Sequence, residues 1–67
     1  MKCTFEAKAT KPSHIMGTDH EGSIRVTLVR DTMEQAYDTA LHHARQWAEL
    51  AGYPDESVKI ALSSLED

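Results

Sequence analysis

The sequence predicts a small α+β domain of ββαβ order, in which a three-stranded, mostly antiparallel sheet carries one long helix on one face. Hydrophobic residues recur with a helical period of about 3.6 over residues 32–51. They alternate with polar residues, as half-buried strands do, over about 3–9, 23–29 and 57–63. A chain of 67 residues has room for a single domain, 1–67, with one small core.

The first strand, at about 3–9, places Cys3 and Phe5 on one face, followed by two alanines. The inward side chains therefore shrink along the strand. We expect a bulky group over the alanine end, and Trp47 is the candidate. Cys3 belongs to the inward pattern, which indicates a small core residue rather than a nucleophile. A single cysteine excludes an internal disulfide and fits a reducing compartment.

Residues 10–22 include Pro12, two glycines and many polar side chains, which predicts a loop of about a dozen residues. Ile15 and Met16 lie in its middle. They either pack beneath the loop as a small apolar cluster or stay exposed and anchor a partner.

The same segment contains residue types that bind metals, namely His14, Asp19, His20 and Glu21. A transition metal requires three or four ligands in a fixed geometry, which a loop supplies poorly. An ordinary polar loop is therefore the favoured interpretation, and a partner-binding loop is the alternative.

The second strand, at about 23–29, leads almost directly into the helix. Asp31 is the predicted N-cap, with Glu34 three residues later completing a capping box. Gly52 is the predicted C′ residue, and Pro54 follows it. The predicted apolar stripe of the helix consists of Met33, Ala36, Tyr37, Ala40, Ala44, Trp47, Ala48 and Ala51.

The helix forms a crossover between the second and third strands, so the first strand fits between them in the order 2-1-3. Both outer strands are then exposed edges, which favours strand addition or dimerisation. The sheet face away from the helix is polar. Its predicted members are Thr4, Glu6, Lys8, Arg25, Thr27, Val29, Lys59, Ala61 and Ser63.

The formal charge is −4, from seven basic and eleven acidic residues, and the basic residues are dispersed. A nucleic-acid-binding domain of this size would carry a basic face, so direct nucleic-acid binding is disfavoured. An acidic surface suits docking onto a basic protein partner. The sequence shows neither a signal peptide nor a membrane-spanning stretch, which predicts a cytoplasmic protein.

His42 and His43 are adjacent on the helix, where neighbouring side chains point about 100° apart and cannot share a metal. We expect both to be solvated. No nucleophile–base motif or phosphate-binding loop is present in the sequence. The sequence therefore predicts no catalytic, metal or cofactor site.

The string SIRVTLVRDTMEQAYDTALHHARQWAEL, residues 23–50, runs from a strand into a D-[ST]-x-E-x-A helix. This layout resembles small ββαβ accessory proteins of phages, prophages and mobile elements, among them anti-CRISPR proteins. It is also similar to the strand-to-helix junction of HicAB-type antitoxins, whose glycine-rich upstream strands are missing here. The resemblance covers about residues 23–64 and carries over no functional residue. It implies a phage-encoded inhibitor acting in the host cytoplasm.

Size, charge and resemblance together favour a non-enzymatic inhibitor that docks on a larger, basic, nucleic-acid-handling complex. The alternative is a small structural or regulatory homodimer that pairs through an edge strand or the open sheet face. A metal- or cofactor-dependent enzyme is disfavoured because it rests on the histidines alone. The predicted partner-binding residues are Ile15, Met16, Asp19, Glu21, Glu34, Asp38, Glu49 and Tyr53.

Overall fold

The computed structural model describes residues 1–12 and 17–66 and confirms the ββαβ order. β1 is the central strand and runs antiparallel to β2 and β3, which gives the predicted order 2-1-3. The molecule is elongated, with principal extents of 45 × 17 × 14 Å. The elements are β1 (Lys2–Pro12), β2 (Asp19–Val29), α1 (Met33–Ala51), a 3-10 turn (Asp55–Ser57) and β3 (Lys59–Glu66).

The β1–β2 hairpin is longer than the sequence predicts. Its ladder runs from Lys2 opposite Val29 to Pro12 opposite Asp19, so much of the predicted loop 10–22 is paired strand. The loop was predicted from its polar side chains. Strand pairing, however, satisfies backbone N–H and C=O groups whatever the side chains are. The predictions for His14, Ile15 and Met16 fall outside the described residues.

The N-cap of α1 lies one residue later than the sequence predicts. Thr32, not Asp31, is the N-cap, and its Oγ1 accepts a hydrogen bond from the Gln35 N–H at 3.2 Å. The predicted Asp31–Glu34 capping box is therefore wrong. Thr32 and Gln35 have the same three-residue spacing one position later, and Thr32 provides the capping oxygen. At the other end Gly52 confirms the prediction, since it has φ 84° and its N–H bonds to the last-turn carbonyls.

A row of small side chains brings α1 close to the central strand. Positions four apart on a helix lie above one another, and four such positions in α1 are alanines with 0–1% exposure. The residues of β1 beneath them are also mostly small. The buried row of α1 is Ala36, Ala40, Ala44 and Ala48, and that of β1 is Cys3, Phe5, Ala7 and Ala9.

Tyr37 departs from the predicted apolar stripe. It is 42% exposed and meets the ring of Phe5 edge-on, with the ring centroids 6.1 Å apart. Phe5 already fills the space between α1 and β1 at this point, so Tyr37 remains at the margin of the interface. Cys3 is fully buried, as predicted.

β3 contains a bulge that the sequence analysis missed. Phe5 pairs with Leu62 and Cys3 pairs with Leu65, so β3 has one residue more than β1 over this interval. The extra residue keeps Leu62 and Leu65 on the helix side although they are three positions apart. Ser64 rather than Ser63 consequently pairs with a residue of the open face.

Replacing Thr32 with alanine tests the observed cap. It removes the acceptor for the Gln35 N–H, and we expect a loss of about 1 kcal/mol in the free energy of unfolding. Thr32→Ser retains the acceptor and should stay within about 0.5 kcal/mol of the parent. Chemical denaturation measures both. A larger effect from Asp31→Ala than from Thr32→Ala would instead support the cap predicted from sequence.

Candidate functional site

The predicted acidic contact residues lie on two opposite surfaces. Asp19 and Glu21 are alternate residues of β2 and share the open sheet face with Arg25. Glu34 and Asp38 project from the side of α1 that is turned away from the sheet, and both are exposed. A single flat partner surface therefore cannot contact both pairs.

The metal-binding residue types of the predicted loop that the structure describes lie on both faces of β2. Because side chains alternate along β2, His20 faces the helix side while Asp19 and Glu21 face away. The His20 ring stacks on Tyr53 with the centroids 6.1 Å apart. Within the described ranges, no group of three or more His, Cys, Asp or Glu residues is arranged to hold a metal ion.

The exposed side of α1 carries three carboxylates. Glu34, Asp38 and Glu49 form no ion pair with any residue that the structure describes. Arg45 lies on the same side, but it forms an ion pair with Asp55 in the 3-10 turn, with Nε 3.5 Å from Oδ1. We call Glu34, Asp38 and Glu49 the acidic helix face.

The open sheet face, in contrast, is balanced in charge. Glu6 lies within 3.9 Å of both Lys8 and Arg25, and Lys2 lies 3.8 Å from Glu66. The net negative charge of the chain therefore resides on its helix side and connecting segments. The charged members of the open face are the four cations Lys2, Lys8, Arg25 and Lys59 and the four anions Glu6, Asp19, Glu21 and Glu66.

Tyr53 was predicted to be a partly exposed contact residue. The predicted exposure is wrong, and the contact role stays a prediction. Tyr53 is 9% exposed and lies across β2, where a Cβ on Gly22 would overlap its hydroxyl oxygen and come within 2.9 Å of its Cζ. Trp47 packs beside it, with the ring centroids 5.3 Å apart. The expectation of a bulky group over the alanine end of β1 is confirmed, but Tyr53 and Trp47 supply it jointly.

Lys11 completes this contact, and sequence reasoning missed it. Its Nζ donates a hydrogen bond of 2.8 Å to the carbonyl of Ala51 in the last turn of α1 and lies 4.7 Å from the Tyr53 ring centroid. A cation there satisfies a terminal carbonyl, complements the helix dipole and interacts with the ring. The available signal was a lysine that continues the inward alternation of β1. We call Lys11, Gly22, Trp47 and Tyr53 the end clamp.

His42 and His43 are both exposed, as predicted, with ring centroids 6.2 Å apart. The exposed candidate contact residues that the structure describes thus form two sets, the acidic helix face on α1 and the pair Asp19 and Glu21 on the open sheet face.

Adding a methyl group at Gly22 tests the close approach of Tyr53. We expect Gly22→Ala to lower the free energy of unfolding by about 1–3 kcal/mol, because the ring must move away from β2. Ser23→Ala, one residue on and on the open face, should change it by no more than about 0.5 kcal/mol. Equal stability of the two variants in chemical denaturation would contradict the observed packing.

Lys11→Met tests the cation in the end clamp while retaining a long, unbranched side chain. The variant loses the hydrogen bond to Ala51 and the charge over Tyr53, so we expect a cost of about 1–2 kcal/mol. Lys8→Met is the matched control, since Lys8 makes only an exposed ion pair, and it should cost about 0.5 kcal/mol or less. Thermal unfolding at low and high salt compares the two. Equal losses would argue against a role for Lys11 in holding α1.

Among the described residues, no helix is both long and apolar enough to cross a membrane. In comparisons with known proteins, no family model, curated protein or solved structure matches this chain. What the chain does is therefore inferred from its own contacts and charges.

Proposed function

We propose that this chain is a non-enzymatic protein-binding protein that docks the acidic helix face onto a basic surface of a larger nucleic-acid-handling complex. The observation that carries the proposal is the set of exposed carboxylates on α1 that form no ion pair within the described part of the chain. The resemblance to small phage proteins favours an inhibitor of the anti-CRISPR kind, acting in the cytoplasm of the host cell.

The arrangement of these carboxylates supports binding to cations. Glu34 and Asp38 are one helical turn apart, and like charges at this spacing repel each other by a few tenths of a kcal/mol. A lysine or arginine from a partner would relieve that repulsion. Complementary charge also raises the rate of association, and carboxylates on a basic surface compete with the phosphates that it would otherwise bind.

The helix supports such docking better than the sheet does. The carboxylate of Glu6 on the open face already lies near cations of its own chain, and the charges of that face balance. A rigid helix also presents its side chains without a large ordering cost on binding. We therefore assign partner binding to Glu34, Asp38 and Glu49, with Asp19 and Glu21 as the competing surface.

Charge reversal on the two surfaces tests the assignment. The tagged chain is incubated with bacterial lysate, and co-purifying proteins are identified by mass spectrometry. We expect one large complex in near-stoichiometric yield, with recovery falling as salt rises because exposed charges are screened. Glu34→Lys with Asp38→Lys should abolish that recovery.

The control is Asp19→Lys with Glu21→Lys, which changes the net charge by the same amount on the opposite face. We expect it to retain the partner. The assignment to the helix fails if the control loses the partner and the helix variant keeps it. Recovery that neither pair of substitutions alters would exclude acidic docking as the mechanism.

A further inference from the structure

One edge of the sheet is open beside an apolar surface. α1 packs over β1 and β2, while β3 pairs with β1 on one side and has no neighbour on the other among the described residues. An eight-residue edge of this kind presents backbone N–H and C=O groups that another strand can pair with.

The helix side of β3 is apolar but incompletely covered. Leu62 is 44% exposed and Leu65 is 49% exposed, although both lie on the face that carries α1. Tyr37, also exposed, touches Phe5, whose partner in β3 is Leu62. Contiguous apolar surface beside an unpaired strand edge is typical of an interaction site.

The charges of β3 point to the identity of the occupant. Lys59 opens the strand directly opposite Lys8 of β1, and like charges in facing positions are destabilising. Lys59 also makes no ion pair with any residue in the described part of the chain. Glu66 closes the strand on the same sheet face. Its Oε2 lies 3.8 Å from Lys2 Nζ of its own chain, and its side chain is still 67% exposed. The strand therefore has at its start a cation without an ion-pair partner among the described residues, and an exposed anion at its end.

From these observations we propose that a second copy of this chain pairs along β3. The two β3 strands would run antiparallel about a two-fold axis and form one six-stranded sheet with both helices on the same side. Lys59 of each copy then lies opposite Glu66 of the other, and the apolar surfaces at Leu62 and Leu65 adjoin. This inference goes beyond the proposed function and uses different residues.

Because of the bulge in β3, the two residues of each facing pair lie on the same face of the sheet. Residues that face each other in an antiparallel pair share a sheet face. A regular strand has odd positions on one face and even positions on the other, so position 59 could not face position 66. The extra residue at the bulge changes this parity. The expected pairs are Lys59 with Glu66 and Ala61 with Ser64 on the open face, and Ile60 with Leu65 on the helix face.

The first test is the mass in solution of the full chain over a dilution series, measured by sedimentation equilibrium. We expect the mass to rise with concentration from 7.5 kDa to twice that value. Lys59→Glu should raise the dissociation constant by about tenfold or more, because two facing pairs change from attraction to repulsion. Unfolding does not account for this effect, since the new carboxylate faces Lys8 within its own chain and is favourable there.

The decisive test mixes two single variants, Lys59→Glu and Glu66→Lys. Each should dimerise weakly alone, whereas their mixture should form a heterodimer with affinity near that of the parent, because all facing charges are then opposite. The doubly substituted chain should also recover self-association. Arg25→Glu, at the β2 edge, is the control and should leave the dissociation constant unchanged.

Three results would overturn the proposal. One is a mass of one chain at every concentration. Another is dimerisation of Lys59→Glu and Glu66→Lys alone as strongly as in their mixture. The third is loss of self-association in Arg25→Glu, which would place the contact at β2.

Discussion

The close approach of α1 to the central strand is the constraint on which the other features of this fold depend. It is possible because the facing rows are built mainly from alanine, with 0–1% exposure along α1. Alanine buries little apolar area, so each contact in the interface contributes only modestly to stability. Apart from Phe5, which is buried in the interface, the large aromatic side chains lie at its margins and ends. Tyr37 stays partly exposed, and Tyr53 and Trp47 gather beyond the last alanine.

A row of identical small residues does not by itself determine the position of α1 along β1. Moving α1 by four residues, about 6 Å, would bring another alanine of the row over most positions of β1. Features at the two ends distinguish the observed position from its neighbours. At one end Tyr53 packs closely over Gly22, where a larger side chain would overlap it, and Lys11 hydrogen-bonds to the last turn of α1. At the other end Met33 packs against the cluster that contains Phe5.

Features that follow from local periodicity or from general rules of chain connection could be predicted from the sequence, and individual long-range contacts could not. The alanine row and the C-terminal glycine follow from patterns within a few residues, and the strand order follows from the rule for crossover connections. The contact of Lys11 with α1 joins residues 40 positions apart, and no local pattern indicates it. Exposure of Glu34 and Asp38 follows from the helical period. That Asp19 lies on the opposite surface from Glu34 and Asp38 could not be predicted, because its segment was expected to be a loop and is a strand. The three-residue spacing of Leu62 and Leu65 was the one local sign of the bulge.

The position of Cys3 has a consequence for the dynamics of the domain. It is the one thiol of the chain, and it is fully enclosed between β1 and α1. A thiol reacts as the thiolate and only when reagent can reach it, so its alkylation requires the helix to separate from the sheet. When reclosing is fast, the alkylation rate is the intrinsic rate multiplied by the equilibrium constant for that separation. Cys3 thus serves as a built-in reporter of how often the two layers come apart under native conditions.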